Sequence, residues 1–154
     1  MMQHLLTNLN VRFVEQRDRA QWQPMWDGYN CFYNRPEFSA EITDITWSRF
    51  FDAAEPVHAL VAEEHGQLLG LTHYLFHRST TMISNSCYLQ DLFTIKTARG
   101  KGVARALIEA VREQANIAKS ERVYWQTHES NATAIKLYDR VAERTGFLVY
   151  RLPM

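Results

Sequence analysis

The chain has 154 residues, of which 17 are basic and 17 are acidic, so its formal net charge is zero. This balance excludes the basic field that drives nonspecific binding to nucleic acids or anionic membranes. With 46% hydrophobic and 22% charged residues, the composition predicts one globular domain over residues 1–154 and excludes extensive disorder. Two cysteines, Cys31 and Cys87, are too few for a disulfide framework.

The chain in order predicts a strand over Val11–Glu15, then two helices. Arg19–Asn34 carries aromatic residues at steps of three and four, which indicates an amphipathic helix with an aromatic face. Apolar residues over Ile42–Phe51 predict a second helix, which ends before Pro56.

The second half predicts a group of strands followed by alternating helices and strands. In order, the expected elements are strands over Val57–Glu63, Leu68–Arg78 and Cys87–Ile95, a helix over Gly102–Lys119, a strand over Val123–Trp125, a helix from Ser130 or Asn131 to about Glu143, and a strand over Phe147–Leu152. This order, β-α-α-β-β-β-α-β-α-β, predicts an α+β or mixed α/β fold.

A glycine-rich loop, Arg99-Gly100-Lys101-Gly102-Val103-Ala104, joins a predicted strand to a predicted helix. Unpaired N–H groups and the helix dipole at such a terminus favour a phosphate. The loop is not a P-loop, because no Lys-Ser or Lys-Thr follows the last glycine, and it lacks the third glycine of a dinucleotide fingerprint. A plain strand-to-helix turn is the alternative.

The R-x-x-G-x-A pattern of Arg99–Ala104 resembles the pyrophosphate-binding signature of the GCN5-related N-acetyltransferases. The likeness includes Tyr88–Phe93, Tyr124–Asn131, and the pattern Asn131-x-x-Ala134-x-x-x-Tyr138 followed by Gly146-Phe147, and covers roughly 57–151. Within the family, the chain is similar to a yeast branch that acetylates histones, polyamines or D-amino acids, and to spermidine/spermine acetyltransferases.

The resemblance implies a central, mostly antiparallel twisted sheet with a splayed strand pair and helices on both faces. It also implies acetyl-CoA as cosubstrate, and a homodimer, because dimers are common among relatives. The implied cofactor-binding residues are Leu92, Phe93, Ile95, Arg99, Gly100, Lys101, Gly102, Val103, Ala104, Asn131 and Tyr138.

Acetyl transfer requires a neutral amine, a polarised thioester carbonyl and a proton for the departing thiolate. The resemblance assigns Asn131 to the pantetheine arm and Tyr138 to protonation of the sulfur. The two lie seven residues apart and so share one helix face. Packing within the helix is the alternative for Tyr138.

Asp91 is the candidate for binding the amine or acting as its base, directly or through water. Related polyamine acetyltransferases carry a Glu immediately before this Asp, whereas this chain has Gln90, which argues against a direct carboxylate base there. Gln90 and Asp91 point to opposite faces of a strand unless a bulge intervenes. The alternative for Asp91 is an ion pair with a basic side chain.

The acceptor amine has further candidate contacts in Trp26, Tyr29, Tyr33 and Glu129. An aromatic stripe at helical spacing usually belongs to the core, but two or three rings could wall a cavity and contact an ammonium. The acidic residues Glu37, Glu41 and Asp44 lie nearby in sequence. Glu129 either lines the acceptor site or supplies charge at a helix N-terminus.

No metal is expected. His73 and His77, the best-placed pair, would be about 13 Å apart on a strand, farther than two zinc bonds of about 2.1 Å can span. Met1–Leu6 lacks a secretory pattern and no window reaches the roughly 20 apolar residues of a membrane span, so we expect a cytoplasmic protein.

The sequence therefore predicts an acyltransferase, an acetyl-CoA-dependent N-acetyltransferase that acts by direct attack of a bound amine in a ternary complex. The expected acceptor is the primary amine of a small molecule such as a polyamine or an amino acid, and neither nucleic acid nor membrane is an expected partner. Two alternatives are a protein or peptide N-acetyltransferase, with an open acceptor groove, and a noncatalytic acyl-CoA-binding sensor.

Overall fold

The structure is a computed structural model that describes residues 8–154. Residues 1–7, from which no secretory leader is predicted, lie outside the described residues. The strands are β1 (Asn10–Phe13), β2 (Val57–Glu64), β3 (Gln67–His77), β4 (Ser86–Thr94) and β5 (Val123–Tyr124). The helices are α1 (Arg19–Phe32), α2 (Ala40–Arg49), α3 (Val103–Ile117) and α4 (Ala132–Val141).

The five strands form one sheet in the order β1-β2-β3-β4-β5. The first three pairings are antiparallel, and β4 pairs with β5 in parallel. This confirms the predicted mixed, mostly antiparallel fold. The strand predicted over Phe147–Leu152 is absent: residues 142–154 form neither helix nor strand, because no other strand of the described chain lies beside them.

Helices cover both faces of the sheet, as predicted. On one face, α3 packs Leu107 and Val111 against strand residues, among them Leu60 and Tyr74, and α4 adds partly buried side chains at the edge. On the other face, α1 and α2 bury four aromatic side chains and one methionine against β2 and β3, namely Trp22, Trp26, Tyr29, Trp47 and Met25. The aromatic stripe of α1 is therefore mainly core.

The N-terminal turn of α3 lies very close to β3 at Gly70. A Cβ added at Gly70 would lie 2.8 Å from the Phe93 carbonyl oxygen and 2.8 Å from Cγ1 of Val103. A side chain at this position would force α3 away from the sheet. The absence of a side chain at Gly70 therefore lets the start of α3 pack closely on β3.

A β-bulge in β4 changes which way its side chains point. His73 pairs with Asp91 and Tyr74 pairs with Leu89, so Gln90 is an extra residue with no partner on β3. In a regular strand Leu89 and Asp91 would share one face. The bulge instead leaves Leu89 in the core under α3 and turns Asp91 toward α1, where its side chain contacts His73.

Candidate active site

The parallel strands β4 and β5 are paired at only two positions, Cys87 with Val123 and Tyr88 with Tyr124. Beyond Tyr88 the two strands separate, and a narrow cavity of about 20 Å³ lies between the segments that continue them. We call this cavity the slot. Its lining residues are Tyr29, Tyr33, Leu89, Gln90, Leu92, Trp125, Gln126 and Tyr138. Along the slot, the edge of β4 that faces β5 has no strand partner within the described chain.

Tyr138 reaches the slot from α4. Its ring packs edge-on against Trp125, with ring centroids 5.4 Å apart. Burial raises the pKa of Tyr138 to about 12, with a smaller contribution from Tyr33, so the hydroxyl carries its proton at neutral pH. Asn131 lies one residue before α4, where its side-chain amide donates to the Thr127 hydroxyl at 3.2 Å, and it does not line the slot.

Asp91 is fixed from behind by a buried chain of hydrogen bonds. The Trp22 indole N–H donates to Nε2 of His73 at 3.1 Å, and Nδ1 of His73 lies 2.9 Å from Oδ2 of Asp91. An indole N–H can only donate, so Nε2 accepts and the neutral imidazole carries its proton on Nδ1, which donates to the carboxylate. Sequence reasoning found Asp91 but missed Trp22 and His73 as its supports, because both contacts cross between elements.

Tyr29 and Tyr33 line the slot from α1 and its C-terminal end. Burial, followed by the Asp91 carboxylate, raises the pKa of both hydroxyl groups. The guanidinium of Arg35 lies 5.8 Å from the Tyr29 ring centroid and 5.6 Å from that of Tyr33. The Asp91 carboxylate therefore raises the pKa of both phenols, and the Arg35 guanidinium lowers it. Sequence reasoning did not single out Arg35.

Two other predicted acceptor contacts lie elsewhere. Trp26 is 6% exposed and does not line the slot; its indole N–H donates to the Thr43 hydroxyl at 3.1 Å. Glu129 is exposed in the segment before α4. Among the acidic residues near the aromatic helix, Asp44 forms an ion pair with Arg19 at 2.6 Å.

The glycine-rich loop has the backbone geometry that a phosphate site needs. Gly100 and Gly102 have φ angles of +76° and +90°, a region that favours glycine. Gly102 is the N-cap of α3 and no side chain caps the helix, so its first N–H groups have no intrahelical acceptor. The cationic side chains Arg99, Lys101 and Arg105 are exposed around them.

The end of β4 leads from the slot to this loop. The Thr94 hydroxyl oxygen is buried without a hydrogen-bond partner among residues 8–154, as expected where a polar ligand passes. The Ile95 amide, by contrast, already donates to the Leu69 carbonyl at 2.9 Å. The unpaired edge of β4, the Thr94 hydroxyl and the helix terminus fit the amides and phosphates of a coenzyme A thioester.

Within residues 8–154, no group of three or more His, Cys, Asp or Glu side chains is placed to hold a metal ion. In the same part of the chain, no helix is long and apolar enough to cross a membrane.

Residues 22–142 match the Acetyltransferase (GNAT) family model. Over 143 residues the chain is 32% identical to the D-amino-acid N-acetyltransferase HPA3 of Saccharomyces cerevisiae, covering 92% of this chain and 88% of that protein. It is 28% identical over 150 residues to the uncharacterized N-acetyltransferase YhfO of Bacillus subtilis, with 94% and 97% coverage.

Solved structures share the fold at low sequence identity. The structure of AAC(6')-Iy in complex with a CoA bisubstrate analog has a TM-score of 0.83 at 15% identity, with 96% of this chain and 99% of that chain covered. A ribosomal-protein-alanine N-acetyltransferase from Brucella melitensis has a TM-score of 0.77 at 19% identity, with 95% and 99% coverage. The chain belongs to the GNAT family of acetyltransferases and is an acyltransferase that moves an acetyl group to an amine.

Proposed function

We propose that this chain, as one acetyltransferase domain over residues 1–154, transfers the acetyl group of acetyl-CoA to the amine of a free amino acid. The observation that carries the proposal is a pair of opposite charges beside Tyr29 and Tyr33, which line the slot. The Arg35 guanidinium lies 5.8 and 5.6 Å from the two ring centroids, and the Asp91 carboxylate raises the pKa of both hydroxyl groups. An amino acid carries an ammonium and a carboxylate on the same carbon. Asp91 and Arg35 are suited to bind one each.

The chemistry follows from what each group can do. Acetyl-CoA supplies an acetyl group activated as a thioester. Asp91, held by His73, accepts hydrogen bonds from the acceptor ammonium and, directly or through water, takes the proton that the nitrogen must lose before it attacks. Tyr138 gives its hydroxyl proton to the departing thiolate. The unpaired edge of β4 offers N–H groups that polarise the thioester carbonyl.

The remaining contacts hold the coenzyme A part. We assign the phosphates to the loop Arg99–Ala104 and the first turn of α3, where free amides and cationic side chains coincide. Leu92 and Phe93, with Thr94 beside them, bind the pantetheine arm along β4. The Ile95 amide already donates to the Leu69 carbonyl, and the Ile95 carbonyl already accepts from the Ala98 amide, so the backbone of Ile95 contributes less to this binding than that of Leu92 and Phe93. Asn131 also belongs to the pantetheine contacts.

Two observations favour an amino acid over a polyamine. The relative HPA3 is described as a D-amino-acid N-acetyltransferase. In addition, Arg35 would repel the second ammonium of a polyamine, and the nearby carboxylate of Asp44 is already paired with Arg19. The chain is expected to act as a homodimer in the cytoplasm.

The test is a thiol-release assay that compares amino acids of both configurations with their decarboxylated amines and with spermidine. We expect release with amino acids, and in Arg35→Gln a KM for them raised roughly 10-fold or more, because a charge-assisted contact contributes about 1.5–3 kcal/mol. The KM of the decarboxylated amine should stay the same. Arg49→Gln, at an exposed arginine on α2, is the matched control.

Other outcomes identify other functions. Release with spermidine alone would contradict the amino-acid proposal, and release with peptides alone would indicate a protein or peptide acetyltransferase. Binding of acetyl-CoA without release for any amine would indicate a sensor.

A further inference from the structure

Tyr88 points to the same face of the sheet as Asp91, the face that α1 covers. Side chains alternate between the two faces of a strand, and Cys87 and Leu89 of β4 belong to the core under α3. Tyr88, which lies between them, therefore points the other way. The bulge at Gln90 turns Asp91 to this face as well. Tyr88 and Asp91 are thus successive side chains on the α1 face of β4.

Tyr88 is supported in this position by side chains of β5 and β3. Its ring stacks on that of Tyr124, with centroids 4.9 Å apart and planes at 27°. The Tyr124 hydroxyl lies 2.6 Å from Nε2 of His77, and Nδ1 of His77 lies 2.8 Å from the Arg78 carbonyl oxygen. A carbonyl can only accept, so in the neutral imidazole Nδ1 carries the proton and Nε2 accepts from the Tyr124 hydroxyl.

Arg122, just before β5, fastens Tyr124 to β4 and leaves the Tyr88 ring without a cation. Its guanidinium lies 4.9 Å from the Tyr124 ring centroid, and its Nε donates to the Ser86 hydroxyl at 2.9 Å. Arg35 has the same place over the two tyrosines that line the slot. Within residues 8–154, no lysine or arginine side chain lies over the Tyr88 ring. This half-buried ring is therefore available to a cation of the ligand.

The Asp91 carboxylate acts on Tyr88 as it does on Tyr29 and Tyr33. Burial, followed by the Asp91 carboxylate, raises the pKa of the Tyr88 hydroxyl, and Tyr33 adds a smaller contribution. Three phenols that keep their protons are thus within electrostatic reach of one carboxylate. A carboxylate among aromatic rings suits an ammonium, because the carboxylate supplies the opposite charge and the ring faces add cation–π attraction.

We propose that the ring of Tyr88 contacts the acceptor ammonium beside Asp91, and that His77 is a positioning residue that holds this ring through Tyr124. The contact comes from the sheet, whereas the two tyrosines of the slot come from α1 and its C-terminal end. It recognises the ammonium and not the carboxylate of an amino acid. The inference rests on the proposed role of Asp91 in binding the amine, and it does not depend on the acceptor being an amino acid.

The first experiment removes the ring in Tyr88→Leu and measures thiol release. For the best amino acid of the panel above and for its decarboxylated amine, the KM should rise by the same factor, roughly 5-fold or more, because a cation–π contact is lost. The kcat and the KM of acetyl-CoA should stay the same. Phe76→Leu, which removes a ring from the opposite face of the sheet, is the matched control and should change none of these constants. An unchanged amine KM in Tyr88→Leu would overturn the proposal.

A second series keeps the shape of the ring and changes only its electrons. Phenylalanine carrying zero to three ring fluorine atoms is incorporated in place of Tyr88, and each fluorine weakens the negative potential of the ring face. The amine KM should rise stepwise along the series, whereas the melting temperature should not follow it. An amine KM that stays constant along the series overturns the proposal, even if Tyr88→Leu does not fold.

Pairs of substitutions test the link to His77. His77→Leu should raise the amine KM about 3-fold, and His77→Gln should restore it, because the glutamine amide oxygen can accept from the Tyr124 hydroxyl. In the Tyr88→Leu background His77→Leu should add nothing, because it acts through the ring. An equal effect of His77→Leu in both backgrounds, no effect in the wild type, or a glutamine variant as impaired as the leucine variant would overturn the positioning role.

Failure of the proposed function gives a different result. If Arg35→Gln leaves the KM of the amino acid unchanged while Tyr88→Leu raises it, the amino-acid acceptor is refuted and the contact with the ammonium stands. If no amine releases thiol, calorimetric titration measures the binding of phenethylamine to the enzyme with coenzyme A present. An affinity that falls from the wild type to Tyr88→Leu supports the contact; equal affinities, or no binding to either, overturn it.

Discussion

The hydroxyl of Tyr138 keeps its proton over the whole neutral range because burial raises its pKa to about 12. Removing that hydroxyl in Tyr138→Phe should lower kcat about 100-fold, a usual contribution of a positioned acid, with little change in acetyl-CoA affinity. The wild type should lose this contribution only as the pH rises toward 12. Steady-state rates at several pH values check this. Tyr74→Phe, at a buried tyrosine outside the slot, is the control, and equal activity of both variants would remove Tyr138 from the mechanism.

His73 is 3% exposed and supports Asp91 while accepting from Trp22. His73→Phe keeps a ring in the core but leaves a carboxylate and an indole N–H without their partner, so it should destabilise the fold by about 2–4 kcal/mol in urea titration. It should also raise the KM for the amine. His58→Phe, at a half-buried histidine with no side-chain hydrogen bond in the described chain, should change neither by much. Equal effects of the two substitutions would contradict the role of the hydrogen bonds.

Among the elements, the start of α3 combines a sharp turn with unpaired amides. Gly102→Glu should abolish coenzyme A binding, because bulk and negative charge would lie where the phosphates bind. Any side chain at its φ of +90° is strained, so Gly102→Ala should lower the melting temperature as well. Calorimetric titration should show that the alanine variant still binds coenzyme A. Wild-type affinity in the glutamate variant would mean that the phosphates bind elsewhere.

At the scale of the whole molecule, a partly buried ion cluster fastens β1 to β2 and to the turn that precedes α1. Arg12 donates to Asp18 at 2.7 Å and to Glu63 at 2.8 Å, and the Asp18 side chain is only 5% exposed. The hydrogen bond from Arg12, the largest cause, holds the pKa of Asp18 below its usual value. The stability that Asp18 contributes is therefore present above about pH 4 and is lost as the pH falls through its lowered pKa.

Asp18→Asn should reduce the free energy of unfolding by about 3 kcal/mol at pH 7, because it leaves Arg12 without its closest charge partner. The difference from the wild type should shrink on acidification below pH 4. Urea titrations between pH 2 and pH 7 check the sign. Asp139→Asn, in an exposed pair with Arg144, should change stability by less than about 0.5 kcal/mol. A difference that grows toward low pH would contradict the assignment.

The amino-acid sequence by itself determined the loop Arg99–Ala104 and the types and order of all the elements except the last predicted strand. These features have short-range causes: hydrophobic periodicity marks the helices, and a left-handed turn before a helix needs glycine at Gly100 and Gly102. The aromatic face of α1 was equally visible, but the same spacing serves a core and a pocket wall. Only packing separated buried Trp26 from Tyr29 and Tyr33, which reach the slot.

Tertiary structure decided the rest because the causes lie in partners distant along the chain. The bulge at Gln90 exists in the register between β4 and β3, and it turns Asp91 toward His73 and Trp22, which come from other elements. The apolar run Phe147–Leu152 has the composition of a strand, but a strand needs an edge to pair with. Within the described residues the run lies beside none of the five strands, although β5 has an unpaired outer edge, so the local pattern alone was insufficient to form a strand.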